Sequence, residues 1–171
     1  MKILNIVIVL ILVSFTAYAE SFVERSAVNG KVHFLAPKEF TLMSKKMLEM
    51  KYPSRFGSKE VLSDVTQGVT LAFNHTKGNT KQGKFKEAHV AFFKTYHNLH
   101  PSAKWIRDEV FTKDGKDFLV FELITPAIDT QIHNIIYITS LNNRLLYIAF
   151  NTTVEQSKVW LPIGKKIMES I

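Results

Sequence analysis

The sequence predicts an α+β domain in which helices separate runs of antiparallel strands. Four strand-length segments follow one another between Lys104 and Asn151, with turn signals between them. Two other stretches, Lys84–Leu99 and Val154–Ile171, carry apolar residues at helical spacing. The 171 residues, 46% hydrophobic and 22% charged, suit one folded domain with one core. Mixed apolar strands such as His133–Tyr137 require cover on both sheet faces. The expected architecture is therefore an α/β/α sandwich with a mostly antiparallel sheet of about six or seven strands.

The elements follow in chain order. Lys31–Leu35 alternates weakly before Pro37 and reads as a short strand ending in a turn. Ser44 can cap a helix bearing Met47, Leu48 and Tyr52, which Pro53 stops. Val61–Val65 and Val69–Asn74 form a hairpin about Thr66-Gln67-Gly68. Gly78–Gly83 is a polar, basic loop. In Lys84–Leu99 the stripe is Phe85, Ala88/His89, Phe92, Tyr96 and Leu99, and Pro101 ends the helix. The meander strands are Lys104–Thr112, Asp117–Thr125, Gln131–Leu141 and Arg144–Asn151. Asp114-Gly115 and Asn142-Asn143 supply two of the turns between them. Trp160, Ile163, Ile167 and Ile171 line the last helix; Pro162 either opens it near Leu161 or kinks it.

Residues 1–19 read as a secretory leader. Lys2 gives the positive end, Ile3–Val13 the apolar run, and Ala17-Tyr18-Ala19 the cleavage site. The run is shorter than the roughly 20 residues of a spanning helix. The expected mature protein is residues 20–171, a single domain, periplasmic or secreted and without stable membrane insertion. The absence of cysteine excludes disulfides, thiolate metal sites, thiol nucleophiles and a lipoprotein anchor.

The chain carries a net charge of +7. Its excess sits in Lys77–Arg107, where seven basic residues face Glu87 alone. Charge asymmetry of this kind marks an interaction surface. Lys81, Lys84, Lys86, Lys94, Lys104 and Arg107 are the candidate partner-binding residues. Phe85, Phe92 and Tyr96 lie on the apolar stripe and so belong to the core. With export, that argues against a nucleic-acid partner.

Signals for chemistry are sparse. His89, His97 and His100 share a helix at spacings that could present imidazoles to a metal, but no carboxylate stands at matching spacing. Asp108 and Glu109 are adjacent in a strand and point to opposite faces. No nucleophile, zinc-helix, phosphate-loop or dinucleotide motif is present. The expectation is no enzyme, no catalytic residue, no cofactor and no metal.

Several short motifs recur in a known order. They are Pro37-Lys38-Glu39-Phe40 after the first strand, Lys51-Tyr52-Pro53 at the first helix end, and His100-Pro101-Ser102-Ala103-Lys104-Trp105 entering the meander. Asp114-Gly115-Lys116 and Leu145–Asn151 complete the set. Across Lys31–Ile171 the chain resembles the PsbP/Mog-like fold family. One departure is Asn142-Asn143, where relatives often carry a glycine. The resemblance implies non-enzymatic work: accessory subunits, adaptors, and in bacteria secretion-system immunity proteins or chaperones. It supplies no catalytic motif. The expected function is a secreted, non-catalytic domain recognising a protein partner. Two alternatives stay open: a small-molecule or metal-dependent enzyme using the histidine-rich helix, and a peripheral binder of anionic envelope polymers or lipid.

Overall fold

The computed structural model describes residues 21–52 and 60–171. The predicted leader and Pro53 lie outside the described residues. The strands are β1 (Phe22–Ala27), β2 (Val32–Pro37), β3 (Thr41–Leu42), β4 (Glu60–Ser63), β5 (Thr70–Asn79), β6 (Lys104–Lys113), β7 (Lys116–Pro126), β8 (Gln131–Leu141) and β9 (Arg144–Thr153). The helices are α1 (Lys45–Lys51), α2 (Phe85–Leu99) and α3 (Ser157–Glu169). Seven strands form one antiparallel sheet in the order β3-β4-β5-β9-β8-β7-β6. β1 and β2 make a separate hairpin.

Strand parity divides the core into two layers. On one face Phe118, Val120, Ile135, Ile148 and Phe150 pack against Ile167 and Met168 of α3 and against the β1–β2 hairpin. On the other, Leu119, Phe121, Leu123 and Ile138 pack with Phe85 of α2, flanked by Phe92, Phe93 and Tyr96. The α+β class and the largely antiparallel, doubly covered sheet are as the sequence predicts. The α3 layer contains a β-hairpin as well as a helix.

The turns follow from backbone chemistry. Asp114 and Gly115 both take positive φ (50° and 71°), the handedness that suits tight hairpins. Asn142 and Asn143 do the same (53° and 59°), so this pair turns without glycine. Asp64 builds the β4–β5 turn: its carboxylate accepts from Val69 N at 3.0 Å, Thr66 N at 3.2 Å and the Thr66 hydroxyl at 2.6 Å. Ser44 caps α1 as expected, accepting from Met47 N at 3.4 Å.

Four expectations need correction. β1 and the two-residue β3 are absent from the sequence reading. β1 carries Glu24 and Arg25 in mid-run, and its turn places Val28 at φ 54°, a conformation that β-branched residues seldom signal. Pro37 ends β2 from within, paired with Phe22. β5 runs on through Gly78 and Asn79, with a register irregularity after His75. Leu99 points away from the core and is 65% exposed. Pro162 takes the second of its two expected placements: it does not open α3 but lies inside it, the position from which proline bends a helix, and there it removes the N–H that the Lys158 carbonyl would accept. Both residues are exposed.

Candidate partner-binding surface

Hydrogen bonds tie the basic loop to the meander. Gln82 donates from Nε2 to Thr139 Oγ1 and to the Ser140 carbonyl, each at 3.0 Å. Its Oε1 accepts from Asp117 N at 2.8 Å. Ser140 Oγ donates to the Thr80 carbonyl, and Arg144 Nε donates to the Thr76 carbonyl at 2.7 Å. One glutamine thus joins the loop to two strands just before α2 begins.

α2 then lies over β6 and β7. His89 Nε2 meets Asp108 Oδ1 at 2.5 Å. Phe93 sits 3.9 Å from the His97 ring, which stacks on Trp105 at 3.9 Å and 8°. Tyr96 packs on Phe121 at 4.6 Å. Burial and nearby Tyr147 push the Tyr96 phenol far above its ordinary range. Burial lowers the pKa of His100, so protonating it on acidification works against the folded helix end.

The six predicted residues divide. Lys81, Lys84, Lys86 and Lys94 lie exposed along the loop and α2, and Lys104 is exposed where β6 begins. Lys84 pairs with Glu87 at 2.9 Å, one turn along the helix. Among the described residues Lys81, Lys86, Lys94 and Lys104 form no ion pair. Arg107 does not join them. A bulge at Ile106 resets the register, so Trp105 faces α2 while Arg107, opposite Glu122, turns to the α3 face. Arg107 Nε donates to Glu109 Oε1 at 2.6 Å, and its guanidinium covers the Phe111 ring at 5.6 Å. Burial pulls its pKa down, but the Glu109 carboxylate and Tyr137 hydroxyl more than offset this and raise it.

The histidines do not converge. His89 is committed to Asp108, His97 to a stack, and His100 lies beside Tyr96 at 6.2 Å. Among the described residues no three histidine or carboxylate side chains are placed to hold a metal. Asp108 and Glu109 face opposite sides of the sheet, as strand geometry predicts. Asp117 accepts from the Thr112 hydroxyl at 2.8 Å.

Sequence reasoning missed a buried polar cluster on the α3 face. His133 Nε2 donates to Glu122 Oε1 at 2.8 Å, and Lys165 Nζ of α3 stands 3.5 Å from the same oxygen. Glu122 is 4% exposed and His133 6%. The available signal was a titratable residue interrupting each of two interior strands, Phe118–Leu123 and Ile132–Ile138. A separate concavity of about 680 Å³ lies among Val28, Leu42, Leu48, Val61 and Phe73, away from the lysine row.

No protein-family model and no curated protein sequence matches the chain. Solved structures do. Cyanobacterial PsbP (CyanoP) from Synechocystis aligns with a TM-score of 0.62 at 16% identity, over 91% of this chain and 94% of that one. LpqN, described as involved in cell envelope biogenesis of Mycobacterium tuberculosis, aligns at 0.51 and 10% identity, over 90% and 84%. PA94 of Pseudomonas aeruginosa, a protein of unknown function, aligns at 0.50 and 9%, over 88% and 95%. The chain has the PsbP-like fold. No helix among the described residues is long and apolar enough to cross a membrane.

Proposed function

We propose that this chain is an exported, non-catalytic accessory domain that binds an acidic protein surface in the cell envelope. The observation that carries the reading is the row Lys81, Lys86, Lys94 and Lys104: exposed, without ion pairs among the described residues, and mounted on a pinned loop and a packed helix. Long-range attraction from such a row speeds encounter more than it deepens affinity. The leader-like Met1–Ala19 supports export. Likeness to LpqN supports an envelope setting. A secretion-system immunity protein is one specific form of this function.

The test is a Lys81→Glu, Lys86→Glu, Lys94→Glu variant compared with the parent by crosslinking in periplasmic extract. The variant should fold normally and lose the partner's crosslink, and the parent's association rate should fall as salt rises. An unchanged crosslink in the variant would defeat the reading. Capture of anionic polysaccharide or lipid in place of a protein would replace it with the envelope-polymer alternative.

A further inference from the structure

The large sheet ends unequally. β3 closes one side with two residues, whereas β6 leaves ten residues along the other. We infer that the free edge of β6 receives an added strand: an extended, acidic segment of the partner. This rests on the protein-partner reading above and specifies how that partner docks.

The backbone pattern identifies the contact groups. Asp114-Gly115 is a two-residue turn, which makes Lys113 and Lys116 a mutually hydrogen-bonded pair. Antiparallel alternation then turns the N–H and C=O of Asp108, Val110 and Thr112 away from β7. No main-chain group elsewhere among the described residues takes them up. They form a ready template for main-chain pairing, with flanking side chains left to select the partner.

Those flanking side chains favour an acidic partner. His89 on Asp108 and His97 on Trp105 set α2 antiparallel above β6. Lys86, Val90 and Lys94 recur every four residues on the flank beside that row, and Lys104 begins the strand. Val90 (71% exposed) and Ile106 (48%) add apolar area next to these charges. The strand's own acids are already answered, Asp108 by His89 and Glu109 by Arg107. A second copy pairing along this edge would set lysine rows near one another, which opposes self-association. A strand bearing glutamate or aspartate meets no such repulsion.

The probe is a fluorescein-labelled peptide of about eight residues alternating glutamate with valine and threonine, about the length of an ordinary strand. Its control carries lysine in place of glutamate. The acidic peptide should bind, slow amide exchange at Val110 and Thr112, and dissociate as salt rises; the lysine peptide should not bind. Val110→Pro removes one outward N–H without touching a β6–β7 hydrogen bond and should weaken binding about tenfold or more. Thr112→Pro repeats the test if the first variant melts early. A folded proline variant that binds like the parent, or equal binding of both peptides, overturns the inference. If crosslinking to the natural partner still needs Lys86 and Lys94 while Val110→Pro leaves it intact, strand addition fails and the partner reading survives. If neither set of variants alters crosslinking, both fail.

Discussion

Gly164→Ala will destabilise the protein by about 1–3 kcal/mol, although alanine is the better helix former by about 1 kcal/mol. Gly164 is buried in the middle of α3. A Cβ there would lie 2.2, 2.4 and 2.6 Å from Cε1, Cδ1 and Cζ of Phe150. Those are hard overlaps with a ring, not with the end of a flexible chain. Phe150 is fully buried in β9, between β5 and β8, and has no free space to enter. The helix must therefore lift, loosening the contacts of Ile167 and Met168 with the sheet. Urea unfolding should show a lower midpoint with an unchanged slope. Phe150→Leu in the same chain should recover part of the loss, giving a coupling energy that isolates this contact. A Gly164→Ala protein as stable as the parent would mean that α3 is not seated against Phe150.

Much of this fold was legible because periodicity and turn chemistry agree. β9 alternates residue by residue, β7 and β8 carry the mixed apolar runs of a sheet covered on both faces, and Asp114-Gly115 and Asn142-Asn143 sit at residues that tolerate positive φ. What escaped lacks such agreement. β1 breaks its alternation with Glu24 and Arg25, then turns through Val28 in a left-handed conformation. Leu99 fits the helical stripe, but α2 ends there and leaves it mostly exposed. The lysine row was visible as composition; its anchorage was not, since Gln82 looks like any polar loop residue until its partners 35 to 58 residues away are known. Arg107 was grouped with the lysines by sequence proximity. The one-residue bulge at Ile106 sends it to the opposite face, and no residue type announces a bulge. Glu122 and His133 stand eleven residues apart and meet only through the β7–β8 register.

That last pair carries the second prediction. Glu122→Ala should cost about 1–3 kcal/mol, because it leaves the buried His133 ring N–H without its acceptor. Glu122→Gln keeps the shape and one acceptor for His133 and should cost less. The informative variant removes the demand along with the supply. With Glu122→Leu and His133→Leu together, two leucines would face the apolar residues Phe118, Val120 and Ile135 of the same layer. Lys165, half exposed at its side chain, can turn its ammonium to water. Replacing a buried polar pair by apolar groups is commonly neutral or stabilising, whereas orphaning one member is not. The double variant should therefore recover most of the stability that Glu122→Ala loses in thermal and urea unfolding. If it does, the pair is not needed for stability, and its retention in two interior strands calls for another reason, tested by measuring partner crosslinking in the restored protein. If the double variant is as unstable as Glu122→Ala, the ion pair itself holds α3 to the β7–β8 face. If Glu122→Ala costs less than about 1 kcal/mol, water reaches the site and the pair behaves as a surface bridge.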